Sequence, residues 1–219
     1  NLKFDIAPPE AMLALGHSLR ERIGKRPVLL AASTREGEEA LLLDAFVRQA
    51  TPEALLLLVP RHPQRFDEVA TLAQGAGLAL ARRSTAPGEA VPAVDAATDV
   101  WLGDSLGEMP AYYACADLAF IGGSLVPLGG QNLIEAAACG CPVVMGPHTF
   151  NFAQAADLAM AAGAAQRVSD MAAGIAAACA LAADGPRQAQ LAQRCQSFTQ
   201  THRGSAQATA RAVVRLLAA

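Results

Sequence analysis

The chain has 219 residues, 53% of them apolar, with 17 basic and 20 acidic side chains giving a formal charge of -3. That is enough apolar material for one large domain or two small ones with a sizeable core, while the intermingled charges offer no cationic stripe for nucleic acid. No apolar run approaches the ~20 residues of a membrane span, and the start NLKFDIAPPE lacks the basic and apolar stretches of an export signal, so the chain as given is expected to stay in the cytoplasm.

In chain order, short apolar runs alternate with longer amphipathic ones. Strands are predicted at 28–32, 54–59, 78–81, 98–102, 117–121 and 142–145. Helices are predicted at about 8–23, 36–50, 64–76, 106–115, 131–139, 151–163, 169–183 and 186–217. This rhythm implies an α/β fold: a doubly wound, mostly parallel, Rossmann-like sheet whose ligand crevice opens at the carboxyl ends of the strands. Residues 1–7 read as a linker ahead of the Pro8-Pro9-Glu10 helix start, with one domain over 8–219. The proline- and glycine-containing stretch 83–97 reads as a surface connection within that domain. Five cysteines form no CxxC pair, and their odd count fits neither a disulfide framework nor a zinc site, so buried reduced thiols are expected. No Asp-x-Asp arrangement offers carboxylates to a nucleotide-bound cation, and neither a metal nor a cofactor is expected.

Four polar clusters fall at predicted strand ends: Ser33-Thr34-Arg35-Glu36, Pro60-Arg61-His62, 103–108 and Gly122-Gly123-Ser124. Ser33 and Thr34 either cap the following helix or meet a phosphate. The first strand is followed by no GxGxxG, which argues against NAD. The most informative segment is 118–146, in which a strand and a glycine-rich loop lead into a helix through Gly129, Gly130, Gln131 and Asn132, before a further strand. Its amides at 130–132 and the Asn132 side chain are candidate fixed donors to a nucleotide phosphate. Glu135, one turn inside the helix among small and apolar neighbours, is a candidate acceptor from ribose hydroxyls. Ser124 is a secondary candidate for phosphate or sugar contact.

Several of these strings resemble one family. Gly122-Gly123-Ser124-Leu125-Val126, Gly129-Gly130-Gln131-Asn132 with Glu135, and the run from Cys141 to Phe152 (CPVVMGPHTFNF) are similar to the C-terminal, donor-binding lobe of 3-deoxy-D-manno-octulosonic acid (Kdo) transferases. Asn1-Leu2-Lys3-Phe4-Asp5 resembles that family's interlobe linker, 60–66 its PRHPERF motif and 103–109 its GDTxGEM/L motif, so the resemblance covers essentially the whole chain in order. Gln131 departs from relatives that carry histidine there.

The resemblance implies one lobe of a two-lobed glycosyltransferase, with CMP-Kdo held by this half and a lipid A precursor by an N-terminal half that also supplies the general base and the membrane anchor. It puts CMP contacts at Pro60 and Arg61, at Leu106, Gly107 and Glu108, and at Asn132, Leu133, Ile134 and Glu135, with no catalytic residue in this half. The implied full-length location is the cytoplasmic face of the inner membrane, in lipopolysaccharide synthesis. Arg61 is left to either the cytosine or a phosphate, and His148 to Asn151 to either loop packing or the other lobe. The alternatives are the donor lobe of a UDP-sugar glycosyltransferase or nucleotide-sugar epimerase, and a non-catalytic nucleotide-binding module.

Overall fold

A computed structural model describes residues 4–85, 94–202 and 204. Seven parallel strands form one sheet in the order β3-β4-β2-β1-β5-β6-β7: β1 Val28–Thr34, β2 Leu55–Pro60, β3 Leu80–Arg82, β4 Val100–Leu102, β5 Leu118–Ile121, β6 Val143–Met145 and β7 Ala165–Arg167. Chain direction across the sheet reverses between β1 and β5, which makes their carboxyl ends the switch point where such folds take ligands. The edge strand β7 has no counterpart among the sequence-predicted strands.

Alternate strand residues feed opposite layers, as a sheet buried on both faces requires. Val28, Leu30, Ala32, Leu55, Leu57 and Val59 pack toward helices α1 (Glu10–Ile23), α4 (Met109–Cys115), α5 (Leu133–Ala138), α6 (Ala153–Ala161) and α8 (Gly185–His202). Leu29, Ala31, Leu56 and Leu58 pack toward α2 (Glu38–Gln49), α3 (Phe66–Gly75) and α7 (Met171–Ala182). The final predicted helix, 186–217, is described to His202, where it packs on this sheet's own core through Cys195 and Phe198; Val213, Val214, Leu216 and Leu217 lie outside the described residues. The 83–97 connection opens with a 3-10 turn at Arg83–Thr85, and 86–93 lie outside the described residues. Within the predicted linker, Phe4 is buried, edge-on to Phe198 at 5.6 Å and stacked on His202 at 5.0 Å.

All five cysteines are unpaired; Cys115, Cys141 and Cys195 are buried, whereas Cys139 and Cys179 are partly exposed. Burial pushes the Cys115, Cys139 and Cys195 thiols up to about 12, so they stay protonated. Among the described residues no helix is long and apolar enough to cross a membrane.

Candidate functional site

The carboxyl ends of β1 and β5 nearly touch. A Cβ on Gly122 would run into the backbone carbonyl of Ser33, a residue that is itself held at φ 57°, so only glycine fits where the two strands end. From there the loop to α5 is closed by its own hydrogen bonds. Gly130 N–H donates to the Gly123 carbonyl at 2.9 Å and Gln131 N–H to the Gly122 carbonyl at 2.9 Å. The amides of Gly130 and Gln131, expected to meet a phosphate, thus already serve carbonyls within the loop.

A carboxylate not foreseen from sequence fills the other side of the loop. Glu38, 2% exposed at the start of α2, accepts from Gly123 N–H at 2.6 Å, Arg35 N–H at 3.0 Å and, at the limit, Leu125 N–H at 3.4 Å. Burial raises its pKa against the lowering by those amides. Its neighbour Glu39 accepts from Thr34 Oγ1 at 2.8 Å and pairs with Arg65 Nη1 at 2.7 Å, which ties the 60–66 turn to α2. Thr34 therefore neither caps α2, whose N-cap is Gly37, nor presents its hydroxyl outward. A sequence signal for both acids existed: Glu38, Glu39, Leu42, Leu43, Ala45 and Phe46 form one buried helical stripe.

The Ser124 side chain is likewise turned inward. It is fully buried, its hydroxyl donates to the Ile121 carbonyl, and its oxygen accepts from Gly146 N–H at 2.9 Å, pinning the β5 exit to the end of β6. Gly129 is a packing position too, because a Cβ there would meet Phe150 Cε2 at 2.5 Å and the Asn151 carboxamide. Asn151 Nδ2 donates to the Leu128 carbonyl at 3.0 Å and Asn151 N–H to the Gly129 carbonyl at 3.0 Å, so this residue of the 148–151 string braces the glycine loop.

The helix predicted from 131 begins at Leu133, capped by Asn132, whose Oδ1 accepts from Ile134 N–H at 3.0 Å. Asn132 Nδ2 donates to Glu135 Oε1 at 3.1 Å, leaving on this half-buried pair one further N–H and one carboxylate oxygen. The side chains of Leu133 and Ile134 are 1% and 0% exposed and belong to the core, so only their backbone lies near the site.

Arg61 follows β2, exposed, with its N–H donating to the Thr34 carbonyl at 3.0 Å. Pro60, the buried last residue of β2, is the register partner of Thr34. Residues 106–108, predicted helical, form a loop instead, because Gly107 sits at φ 82° and Leu106 stands 77% exposed. Glu108 is held from within: Arg83 grips both its oxygens at 2.9 and 2.8 Å, and Ser105 Oγ and Tyr112 OH donate at 2.5 and 3.0 Å. Burial alone would raise its pKa, but Arg83, Ser105 and Tyr112 win and hold the carboxyl below the usual range. The Glu108 side chain thus braces its own loop.

A parallel sheet with a glycine-closed turn at its switch point, and three further loops at the same edge, defines a Rossmann-like lobe of the nucleotide-sugar glycosyltransferase kind. No family model matches the chain. It is 51% identical over 214 residues to the 3-deoxy-D-manno-octulosonic acid transferase of Bordetella pertussis, covering 95% of this chain and 49% of that protein. The enzyme of the same name from Haemophilus influenzae is 43% identical over 155 residues, covering 69% and 35%. The crystal structure of the C-terminal CMP-Kdo binding domain of WaaA from Acinetobacter baumannii superposes with a TM-score of 0.80 at 31% identity, covering 88% of this chain and 100% of that one. The chain belongs to the Kdo transferase family, and it spans about half the length of the Bordetella relative.

Proposed function

We propose that this chain is the donor lobe of a Kdo transferase and holds CMP-Kdo at the carboxyl edge of its sheet. The observation that carries it is the placement of three loops on one edge: Arg61 after β2, the 106–108 backbone after β4, and the Asn132–Glu135 pair after β5. The full-length match to a domain described as binding CMP-Kdo supports the choice of nucleotide over the uridine alternative.

In this reading Asn132 and Glu135 present a donor and an acceptor side by side, a complement to the vicinal hydroxyls of ribose. Gly107 and its neighbours offer backbone groups to the cytosine edge, where the exocyclic amine separates cytidine from uridine. Kdo transfer breaks the bond between the anomeric carbon and the phosphate, so charge accumulates on the departing nucleotide and is best stabilised by groups already fixed in place. The acceptor, a lipid A precursor, the general base and attachment to the cytoplasmic face of the inner membrane belong to the other half of the protein, so the isolated lobe binds CMP without turnover.

Calorimetry with CMP against UMP tests this. CMP is expected to bind in preference to UMP, and Glu135→Gln and Asn132→Ala to weaken it sharply. Unchanged affinity in both variants refutes the site.

A further inference from the structure

The donor's phosphate needs a counter-charge, because an anion removed from water without a partner is costly. Much of the loop's own amide surface is already spent. Gly123 N–H serves Glu38, Gly130 and Gln131 serve the carbonyls of Gly123 and Gly122, and Ile134 N–H serves Asn132. Glu38 adds a buried acid beneath the same loop.

Most arginines at this edge are also committed. Arg65 is paired with Glu39 and Glu68, Arg82 with Asp67 and Asp104, and Arg83 with Glu108. Arg167 donates to the carbonyls of Gly146 and Pro147. Arg35 differs. Its half-buried side chain has no hydrogen-bond or acidic partner among the described residues, although its backbone N–H is anchored on Glu38. Its Cγ lies 3.5 Å from the point a Cβ on Gly123 would occupy, and Gly130 N lies 3.6 Å from that same point. The stem of the side chain thus lies against the turn that leads into Asn132. Arg35 also stands one residue past Thr34, the register partner of Pro60, just as Arg61 stands one past Pro60.

We propose that Arg35 is the phosphate-binding cation of the donor site, its guanidinium taking the anionic oxygens of the cytidine monophosphate where the amides of Gly123, Gly130 and Gln131 are closed. A planar fork of fixed N–H donors suits two phosphate oxygens at once, and its charge is independent of pH across the working range. Arg61, exposed on the next strand, is then left to the nucleoside side. This assignment rests on the donor-lobe reading above.

Titration of the chain with CMP and with cytidine, which differ only by the phosphate, tests it on the wild type, Arg35→Gln, Arg35→Lys and Glu135→Gln. Arg35→Gln is expected to weaken CMP about ten- to hundredfold, as for loss of one charge-assisted contact, and to leave cytidine unchanged, with Arg35→Lys recovering part of the loss. Glu135→Gln should weaken both ligands. Wild-type affinity for CMP in Arg35→Gln, or equal weakening of CMP and cytidine, overturns the assignment. If Arg35→Gln binds CMP normally while Glu135→Gln does not, the phosphate role falls and the donor lobe stands. A wild-type chain that binds neither CMP nor cytidine overturns both.

Discussion

Replacing Glu38 by alanine probes the closed loop at its most heavily used acceptor. The carboxylate is 2% exposed and receives two well-formed amide bonds, from Gly123 at 2.6 Å and Arg35 at 3.0 Å, plus a long one from Leu125 at 3.4 Å. A buried donor left without an acceptor costs about 1–3 kcal/mol, so two stranded donors cost about 2–6 kcal/mol. Removing the desolvated carboxyl and admitting water to the vacated space offset part of this, for a net loss of about 2–4 kcal/mol. For a chain of this size that corresponds to roughly 5–15 °C in Tm. Urea unfolding followed by circular dichroism measures the difference. Formate, which fits the space of the missing carboxylate, should raise the Tm of the variant more than that of the wild type. A loss below about 1 kcal/mol refutes the account of Glu38 as the internal anchor of this loop.

Acid stability reports on the other braced carboxylates. Glu108 and Asp104 are held below their usual pKa by Arg83, Arg82 and the surrounding hydroxyls despite burial, so their stabilisation is fully present above the ordinary carboxylate range and is lost as pH falls through the depressed values. Glu108→Gln should therefore flatten the acid limb of the stability curve below about pH 4, as read by urea midpoints from pH 2 to 7; an unchanged limb would contradict the brace. Gly122→Ala drives a methyl into the Ser33 backbone carbonyl, which cannot swing aside, and should cost more than about 3 kcal/mol or prevent folding. Ordinary stability in that variant would mean that the ends of β1 and β5 do not approach so closely.

What sequence made legible was what burial dictates. Runs such as VLLAA and LLLLV lie in strands covered on both faces, and their continuous apolarity locates β1 and β2 to within about two residues. β7 is three residues, Ala-Gln-Arg, half exposed at the sheet edge, and nothing in that triplet distinguishes it from a loop. Helix starts were harder. The helix after the glycine loop is predicted from 131, but Gln131 spends its amide on Gly122 across the loop and Asn132 turns to cap, so the helix begins two residues later. At 106–108 the left-handed Gly107 has the same effect on α4. The polar side chains whose internal partners were not legible share one cause. Ser124 meets Gly146, 22 positions away, and Glu38 meets Gly123, 85 positions away. A hydroxyl or carboxylate beside a glycine loop reads identically whether its partner is a ligand or a distant piece of backbone.

Three acidic residues illustrate how the fold decides among candidates that composition leaves equal. Glu38, Glu108 and Glu135 each sit near the first turn of a helix or just before it, where an acid complements the helix dipole. Glu38 is consumed by backbone amides and Glu108 by Arg83, Ser105 and Tyr112, and both serve to hold loops still. Among the described residues the Glu135 carboxylate has a single hydrogen-bond partner, Asn132, and the residue remains half exposed. The same division holds for the arginines, with Arg65, Arg82 and Arg83 locked in ion pairs while the side chains of Arg35 and Arg61 have no partner among the described residues. Groups that spend their hydrogen bonds inside the protein fix the shape of the crevice, and those with bonds to spare are the ones able to meet a nucleotide. On the donor-lobe proposal, rigidity in the first set lets the second act without reorganising as charge develops on the leaving phosphate.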